Sequence, residues 1–256
     1  MQHKPRKRFG QNFLIDQQII QRIVSAINPK PNQCIVEIGP GLGALSVGLL
    51  AHIPHLLGIE LDRDVIPKLA ETVKSLGKMH IIQGDALQID FQTLCPENQK
   101  LRIVGNLPYN ISTPLIFHLL TYSQCIQDMH FMLQKEVVER LNAPINSKAY
   151  GRLSVMIQYH CEVEACFVVS PNAFNPPPKV DSMVVRIKPR QSIENIANDY
   201  ELFSILVREA FNQRRKTLRN SLRAYLDEKN DFPVDLSLRA EQLSVADYVK
   251  LSNFIK

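Results

Sequence analysis

The sequence lacks the cysteine patterns that mark disulfide-rich and zinc-binding proteins. Its five cysteines are odd in number, and no two of them form a C-x-x-C pair. Neither a disulfide framework nor a zinc site is therefore indicated. This pattern favours a reducing compartment, and we expect a cytoplasmic protein.

Long hydrophobic runs are also missing. The leucine-rich stretch at residues 45–57 is interrupted by His52, Pro54 and His55, and the basic N-terminus is not followed by the apolar segment of an export signal. We find no internal repeat and no low-complexity tract. We therefore expect neither export nor a membrane partner.

The composition, with 45% hydrophobic and 21% charged residues over 256 positions, is that of an ordinary globular protein. Short apolar runs alternate with helix-length segments through residue 190, which predicts an α/β fold with a mostly parallel sheet covered on both faces. Strands are predicted at residues 34–38, 56–61, 80–82, 102–104, 129–133, 162–169 and 182–188, the last two as an antiparallel edge.

Helical patterns lie before and after this region. Asp16 is a good N-cap for a helix over residues 17–27, whose isoleucines recur at helical spacing before Asn28 and Pro29. From Asp199 onward an apolar helical stripe replaces the alternation. We predict two domains, residues 1–190 and a small all-helical domain over residues 191–256.

Positive charge is concentrated in two segments, although the net charge is only +5. Residues 208–223 hold six Arg or Lys against Glu209 alone, and a second cluster opens the chain. Such clusters are typical of surfaces that bind phosphate backbones, although solvated helix or tail faces are the alternative. The candidate RNA-binding residues are Arg6, Lys7, Arg8, Arg214, Arg215, Lys216, Arg219 and Arg223.

A glycine-rich turn directly follows the first predicted strand of the sheet. Gly39, Gly41 and Gly43 form G-x-G-x-G and not the G-x-G-x-x-G of dinucleotide-binding proteins, in which the last glycine helps to seat a pyrophosphate. A sulfonium cofactor has no phosphate and needs no such seat. Alternatives are a turn that binds nothing and, from the glycines alone, an NAD-dependent oxidoreductase.

Acidic residues stand at the ends of the next two strands. Glu60 lies where a carboxylate can accept both ribose hydroxyls of a nucleoside, and we favour it over Asp62. Asp85, beside Ala86, is a candidate acceptor for the adenine amine of the cofactor. A strand-end Asp is equally often only a helix cap.

Asn106-Leu107-Pro108-Tyr109 ends the fourth strand. The adenine amine is a poor nucleophile, and Asn106 Oδ1 with the Leu107 carbonyl can accept its two hydrogens and favour a pyramidal nitrogen. Tyr109 offers a ring on which a base can stack, and Phe174, ahead of three prolines, can close that stack. The order of these motifs predicts methyl transfer from S-adenosylmethionine to a base amine, without a metal or a dedicated general base.

Six landmarks in order resemble those of the small-subunit ribosomal RNA adenine dimethyltransferases, whose bacterial members underlie kasugamycin sensitivity. They begin at Arg8, Glu37, Gly84, Asn106, Pro176 and Phe211 and read RFGQNFL, EIGPGLG, GDAL, NLPY, PPPKVDS and FNQRRKTL. The resemblance runs essentially from end to end. It implies a Rossmann-like class I S-adenosylmethionine-dependent methyltransferase domain followed by a helical C-terminal domain.

The resemblance further implies dimethylation of two adjacent adenosines in the 3′-terminal hairpin of 16S rRNA, with S-adenosylhomocysteine as product. The expected partner is a small-subunit assembly intermediate, bound by a monomer. Carried over by position, Gln11, Asn12 and Leu14 would cover the cofactor, and Gly39, Glu60, Asp85 and Asn106 keep the roles argued above.

Two alternatives share these motifs. Relatives that dimethylate large-subunit rRNA have the same catalytic residues, but Phe9-Gly10 and the Arg214-Arg215-Lys216 segment resemble the small-subunit branch. The protein could also act chiefly as an assembly checkpoint that occupies the subunit until methylation releases it. This second role is compatible with the first.

Overall fold

The computed structural model describes residues 12–97, 99–227 and 231–255. Two compact units emerge, one within Met1–Val138 and Glu164–Pro189 and the other within Glu139–Val163 and Arg190–Lys256. One boundary between the two units lies between Pro189 and Arg190. Residues 139–163, which we placed in the first domain, pack instead with the C-terminal residues.

The strands of the described chain are β1 Phe13–Leu14, β2 Cys34–Ile38, β3 His55–Glu60, β4 Lys78–Gln83, β5 Leu101–Asn106, β6 Ile126–Gln134, β7 Cys161–Val169, β8 Phe174–Asn175 and β9 Ser182–Pro189. Its α-helices are α1 Gln17–Ile27, α2 Ala44–Leu50, α3 Ile66–Val73, α4 Ser112–Leu120, α5 Lys135–Leu141, α6 Arg152–His160, α7 Tyr200–Asn212, α8 Leu218–Ser221 and α9 Val245–Phe254.

Seven of the described strands form one sheet in the order β4-β3-β2-β5-β6-β9-β7. The first five in this order are parallel, and β9 runs antiparallel to β6. The mostly parallel α/β fold is therefore confirmed, with a strand at each of the seven predicted places. Placement of β9 between β6 and β7 was not predicted.

Helix α1 illustrates how local sequence sets an element. Asp16 caps it by accepting hydrogen bonds from the amides of Gln18 and Ile19, at 2.9 and 3.2 Å. Its apolar face is buried, and Asn28 ends the helix in the left-handed region at φ 49°. The predicted bounds of this helix are confirmed.

A buried ion pair links three strands of the sheet. Arg102 on β5 donates to both carboxylate oxygens of Asp128 on β6, at 2.8 and 3.1 Å, and Arg186 on β9 lies 3.3 Å from the same carboxylate. Burial raises the pKa of Asp128, but the hydrogen bonds of Arg102 and the neighbouring positive charges lower it by more. The net pKa of Asp128 therefore lies below its usual range. The carboxylate therefore stays charged.

The second unit is built mainly from helices α6, α7, α8 and α9. Three aromatic rings pack together in this unit. The ring centroid of Phe211 lies 6.2 Å from that of Tyr150 and 6.0 Å from that of Tyr248. The buried Tyr248 hydroxyl donates to the carbonyl of Ala240 at 2.8 Å. In the described residues of the chain, no helix combines the length and apolar character needed to cross a membrane.

Candidate active site

Four predicted site residues lie at one edge of the sheet. Strands β2, β3, β4 and β5 are parallel, so their carboxyl ends meet, and Gly39, Glu60, Asp85 and Asn106 stand at or just after those ends. They line a cavity of about 710 Å³. Predicted residues in its wall are Asn12, Leu14, Gly39, Gly41, Glu60, Asp85, Ala86, Asn106, Leu107, Tyr109 and Phe174.

Gln11 is the one predicted cofactor residue that lies outside the described residues, as do the candidate RNA contacts Arg6, Lys7 and Arg8. Apart from Gln11, the structure brings the residues predicted for cofactor and target base together around the same cavity.

The glycine turn leaves space where other residues would fill it. Gly39, Gly41 and Gly43 have φ of 65°, 56° and 90°, a region that side chains disfavour. A Cβ on Gly39 would find no atom within 4 Å, whereas one on Gly41 would lie 3.1 Å from the Phe13 ring. The absence of a side chain at Gly39 therefore keeps the cavity open, and the absence of one at Gly41 allows the Phe13 ring to pack against the turn.

Glu60 is held by main-chain donors. One carboxylate oxygen accepts from the Asp62 amide at 2.8 Å and the other from the Gly41 amide at 3.0 Å. Burial raises the pKa of Glu60, while these two hydrogen bonds lower it. Each oxygen keeps a second lone pair, so the side chain is fixed in place and still able to accept hydroxyl donors.

Asp85 caps the short 3₁₀ turn Ala86–Gln88, with Oδ1 accepting from the Leu87 amide at 3.0 Å. The helix-cap interpretation is therefore correct for Asp85 Oδ1. The cap does not exclude the cofactor role, because Asp85 also lines the cavity and the carboxylate has a second oxygen.

Asn106 is oriented by the N-terminal segment. Its Nδ2 donates to the main-chain oxygen of Asn12 at 3.0 Å, across 94 positions of sequence. Among the described residues no hydrogen bond reaches Asn106 Oδ1. The hydrogen bond from Nδ2 fixes the orientation of the amide, and Oδ1 remains available to accept a hydrogen from a ligand.

The two residues that follow are fixed as well. Leu107 is buried, and its amide donates to the carbonyl of Met132 on β6 at 3.2 Å. Tyr109 is half-buried, and its hydroxyl lies 2.9 Å from Ser182 Oγ. Burial raises the pKa of Tyr109, and the hydrogen bond to Ser182 partly offsets that rise.

Phe174 reaches the cavity from a small second sheet. Strand β8 pairs antiparallel with β1, so that Phe174 lies opposite Leu14. Phe174 is only 3% exposed and belongs to the hydrophobic core as well as the cavity wall. A role in core packing and a role in base contact are therefore compatible for Phe174.

Glu37 is a cavity residue that sequence reasoning missed. It lies inside β2, is 2% exposed and accepts a hydrogen bond from Ser46 Oγ at 2.6 Å. Burial raises its pKa to about 7, partly offset by Ser46 and reinforced by the charge of Glu60. An acidic residue within an otherwise apolar buried strand was the available signal.

The basic C-terminal segment does not form one helix. Helix α7 ends at Asn212, a turn covers residues 213–216, and the short α8 follows, so the basic residues are divided among three local structures. Arg214 donates from Nη2 to the carbonyls of Lys148 and Tyr150, both at 3.1 Å. The predicted RNA-binding residues of this segment are all exposed to solvent: Arg214, Arg215, Lys216, Arg219 and Arg223.

The cavity suits S-adenosylmethionine chemically. This ligand carries a sulfonium and an ammonium group, and the cavity contains the carboxyl groups of Glu37 and Glu60 among mostly apolar residues. The open space at Gly39 admits a close ligand, and a purine with ribose supplies the hydroxyl and amine donors that Glu60 and Asp85 can accept.

Comparisons with known proteins point the same way. A family model described as ribosomal RNA adenine dimethylase matches residues 2–256. A protein of Pseudomonas syringae pv. tomato named ribosomal RNA small subunit methyltransferase A is 55% identical over 254 residues, covering 98% of this chain and 95% of that protein. The protein of the same name from Marinomonas sp. is 50% identical over 256 residues, covering 99% and 96%.

Solved structures agree on the fold. The crystal structure of a dimethyladenosine transferase from Plasmodium falciparum superimposes with a TM-score of 0.78 at 26% identity, covering 93% of this chain and 95% of that one. The 23S rRNA methyltransferase ErmE gives 0.73 at 22% identity, covering 95% and 99%. The second likeness concerns the fold alone, and none of these comparisons favours the oxidoreductase alternative.

Proposed function

This chain belongs to the ribosomal RNA adenine dimethylase family and is an S-adenosylmethionine-dependent enzyme, and we propose that it dimethylates two adjacent adenosines in the 3′-terminal hairpin of small-subunit (16S) rRNA. The names of the two bacterial relatives support the choice of the small subunit. The single observation that carries the chemistry is the orientation of Asn106 at the cavity.

Several side chains are proposed to hold the cofactor. Glu60 accepts hydrogen bonds from its ribose hydroxyls, Asp85 and the wall at Ala86 receive its adenine, and Gly39 and Gly41 allow close approach. Asn12 and Leu14 cover it, with Gln11 expected to join them. When bound, S-adenosylmethionine supplies a methyl group on sulfur that is already activated for transfer. Its product is S-adenosylhomocysteine, and no metal is required.

Asn106 and Leu107 are proposed to prepare the target amine. The bond from Asn106 Nδ2 to Asn12 fixes the amide, so that Oδ1 can accept one hydrogen of the adenine amine while the Leu107 carbonyl accepts the other. Two such acceptors favour a pyramidal nitrogen whose lone pair is available for attack. Placement within about 3 to 3.5 Å of the methyl carbon then accounts for most of the remaining rate enhancement.

Tyr109 and Phe174 are proposed to hold the target ring by stacking. An adenosine inside an RNA hairpin must leave its own stack to reach them, which costs a few kcal/mol. Base–aromatic stacking contributes about 1–3 kcal/mol per base. The two aromatic residues can therefore offset much of the flipping penalty.

The C-terminal unit is proposed to contact the RNA backbone of a small-subunit assembly intermediate, with the protein acting as a cytoplasmic monomer. Arg215, Lys216, Arg219 and Arg223 are exposed. Arg214 has used both hydrogens of Nη2 inside the unit, so only Nε and Nη1 remain for phosphate. This basic segment also supports the accompanying role as an assembly checkpoint.

The activity is tested with immature small subunits and labelled cofactor, which should yield dimethyladenosine in the 3′-terminal hairpin. In Asn106→Ala, cofactor affinity should fall modestly while transfer slows about 10²- to 10³-fold, as when a preorganised polar partner is removed. Asn253→Ala is the matched control, because Asn253 Nδ2 also donates to a main-chain oxygen, that of Ile196. Full activity in Asn106→Ala would contradict the proposed role.

RNA contact is tested by reversing charge in Arg215→Glu/Arg219→Glu. Subunit binding should weaken, and its dependence on salt should become shallower. Lys78→Glu/Lys100→Glu carries the same change in net charge at exposed positions where β4 and β5 begin. Equal subunit binding by the two double variants would show that the basic segment does not contact the RNA.

A further inference from the structure

Tyr109 is anchored at two points. Its hydroxyl shares a hydrogen bond with Ser182 Oγ at 2.9 Å, and its main-chain oxygen accepts from Ser112 Oγ at 3.2 Å. Both serines are buried, being 1% and 2% exposed. A buried hydroxyl is unfavourable unless it is hydrogen-bonded, so each serine is committed to its partner.

The anchor at the hydroxyl controls the ring. Rotation about the Cα–Cβ bond of a tyrosine moves the hydroxyl oxygen farther than any ring atom, and a hydrogen bond at that end therefore opposes this swing of the ring. Ser182 is itself fixed, as the first residue of β9 and opposite Gln134 of β6. The ring of Tyr109 is thus tied to the sheet.

One segment of chain also relates the two aromatic residues. Phe174 lies at its start, on β8, and Ser182 lies at its end, on β9. Between them stand Pro176, Pro177 and Pro178, which restrict the backbone. Phe174 belongs to this segment directly, and Tyr109 is bound to it through Ser182.

We infer that Ser182 is a positioning residue for methyl transfer, which holds the Tyr109 ring in the place required for the target adenine to stack in line with the methyl group. The inference rests on the proposed function, because it takes the Tyr109 ring as the surface on which the base stacks. Ser182 acts through Tyr109 and does not itself touch the substrate.

The test is a double-mutant cycle with Ser182→Ala, Tyr109→Phe and the double variant, assayed on immature small subunits. Each single change removes the same hydrogen bond, so kcat should fall by a similar factor, about threefold to tenfold, in both. The double variant should be no slower than the slower single variant. KM for the subunit and Kd for S-adenosylmethionine should stay within about twofold, since neither the phosphate contacts nor the cofactor wall changes.

Ser252→Ala is the matched control, because it deletes another buried hydroxyl, 3% exposed and bonded to the Val249 carbonyl, in the second unit. It should lower the melting temperature without changing kcat. The inference is overturned by unchanged kcat in Ser182→Ala, or by losses that multiply in the double variant. If Ser182→Ala does not fold, Tyr109→Phe decides, and full activity in that variant overturns it. A wild-type protein that forms no dimethyladenosine would instead refute the proposed function.

Discussion

Replacing Glu37 by glutamine should stabilise the protein at alkaline pH. The carboxyl group is 2% exposed, and burial raises its pKa to about 7 from an ordinary value of 4.5. Glutamine has nearly the same shape, keeps an oxygen that can accept from Ser46 and carries no charge. The substitution therefore removes a buried charge and retains the hydrogen bond.

The magnitude follows from proton linkage. An acid whose pKa is raised in the folded state lowers stability as pH rises between the unfolded and folded values, here between 4.5 and about 7. With about 1.4 kcal/mol per unit, wild-type Glu37 lowers stability by about 3 kcal/mol above this range. Glu37→Gln should regain about 3 kcal/mol near pH 8.5 and about 1 kcal/mol near pH 5.5.

Urea unfolding of both proteins without cofactor, at the two pH values, measures this difference. The free-energy gain must grow as pH rises. A variant that is equally stable or less stable at pH 8.5, or a gain independent of pH, would refute the assignment of a raised pKa to Glu37.

Three further outcomes are expected. Glu60→Gln should lose about 1–3 kcal/mol of stability and bind cofactor weakly, because the glutamine side chain has one oxygen in place of the two that accept from the main-chain N–H groups of Gly41 and Asp62. Urea unfolding measures the loss of stability, and calorimetry measures the cofactor affinity. Gly39→Ala should lose only about 1 kcal/mol from its left-handed backbone, yet calorimetry should show at least about tenfold weaker cofactor binding, since its methyl group enters the cavity. Asp128→Asn should lose about 3 kcal/mol at neutral pH. That difference should shrink in acid as the wild-type carboxylate, whose pKa is lowered, becomes protonated.

Periodicity and capping residues made most of the first unit predictable. Helix α1 has a side-chain cap, a buried stripe and a proline just after its end, and these local signals act before any tertiary contact forms. The two-residue strands β1 and β8 have no such pattern. They pair between positions more than 150 residues apart, which no local signal reports.

The cavity wall was predictable where a motif follows a strand, as at Gly39 and Asn106. Ser182 was quoted as part of a motif but given no role, because its contact with Tyr109 depends on β9 entering the sheet beside β6. The two hydrogen bonds from Arg214 to main-chain carbonyls could not be predicted either, because they join positions 66 and 64 residues apart. Charge density in the sequence does not report which cations the fold already uses.

The pairing of β1 with β8 bears on how the protein is made. Phe174 and Asn175, against which β1 lies, are synthesised more than 150 residues after β1. A nascent chain stopped before that point has its glycine turn and strand ends but lacks one wall of the pocket. The cavity wall is therefore complete only after β8, and then Val184 on β9, have been synthesised.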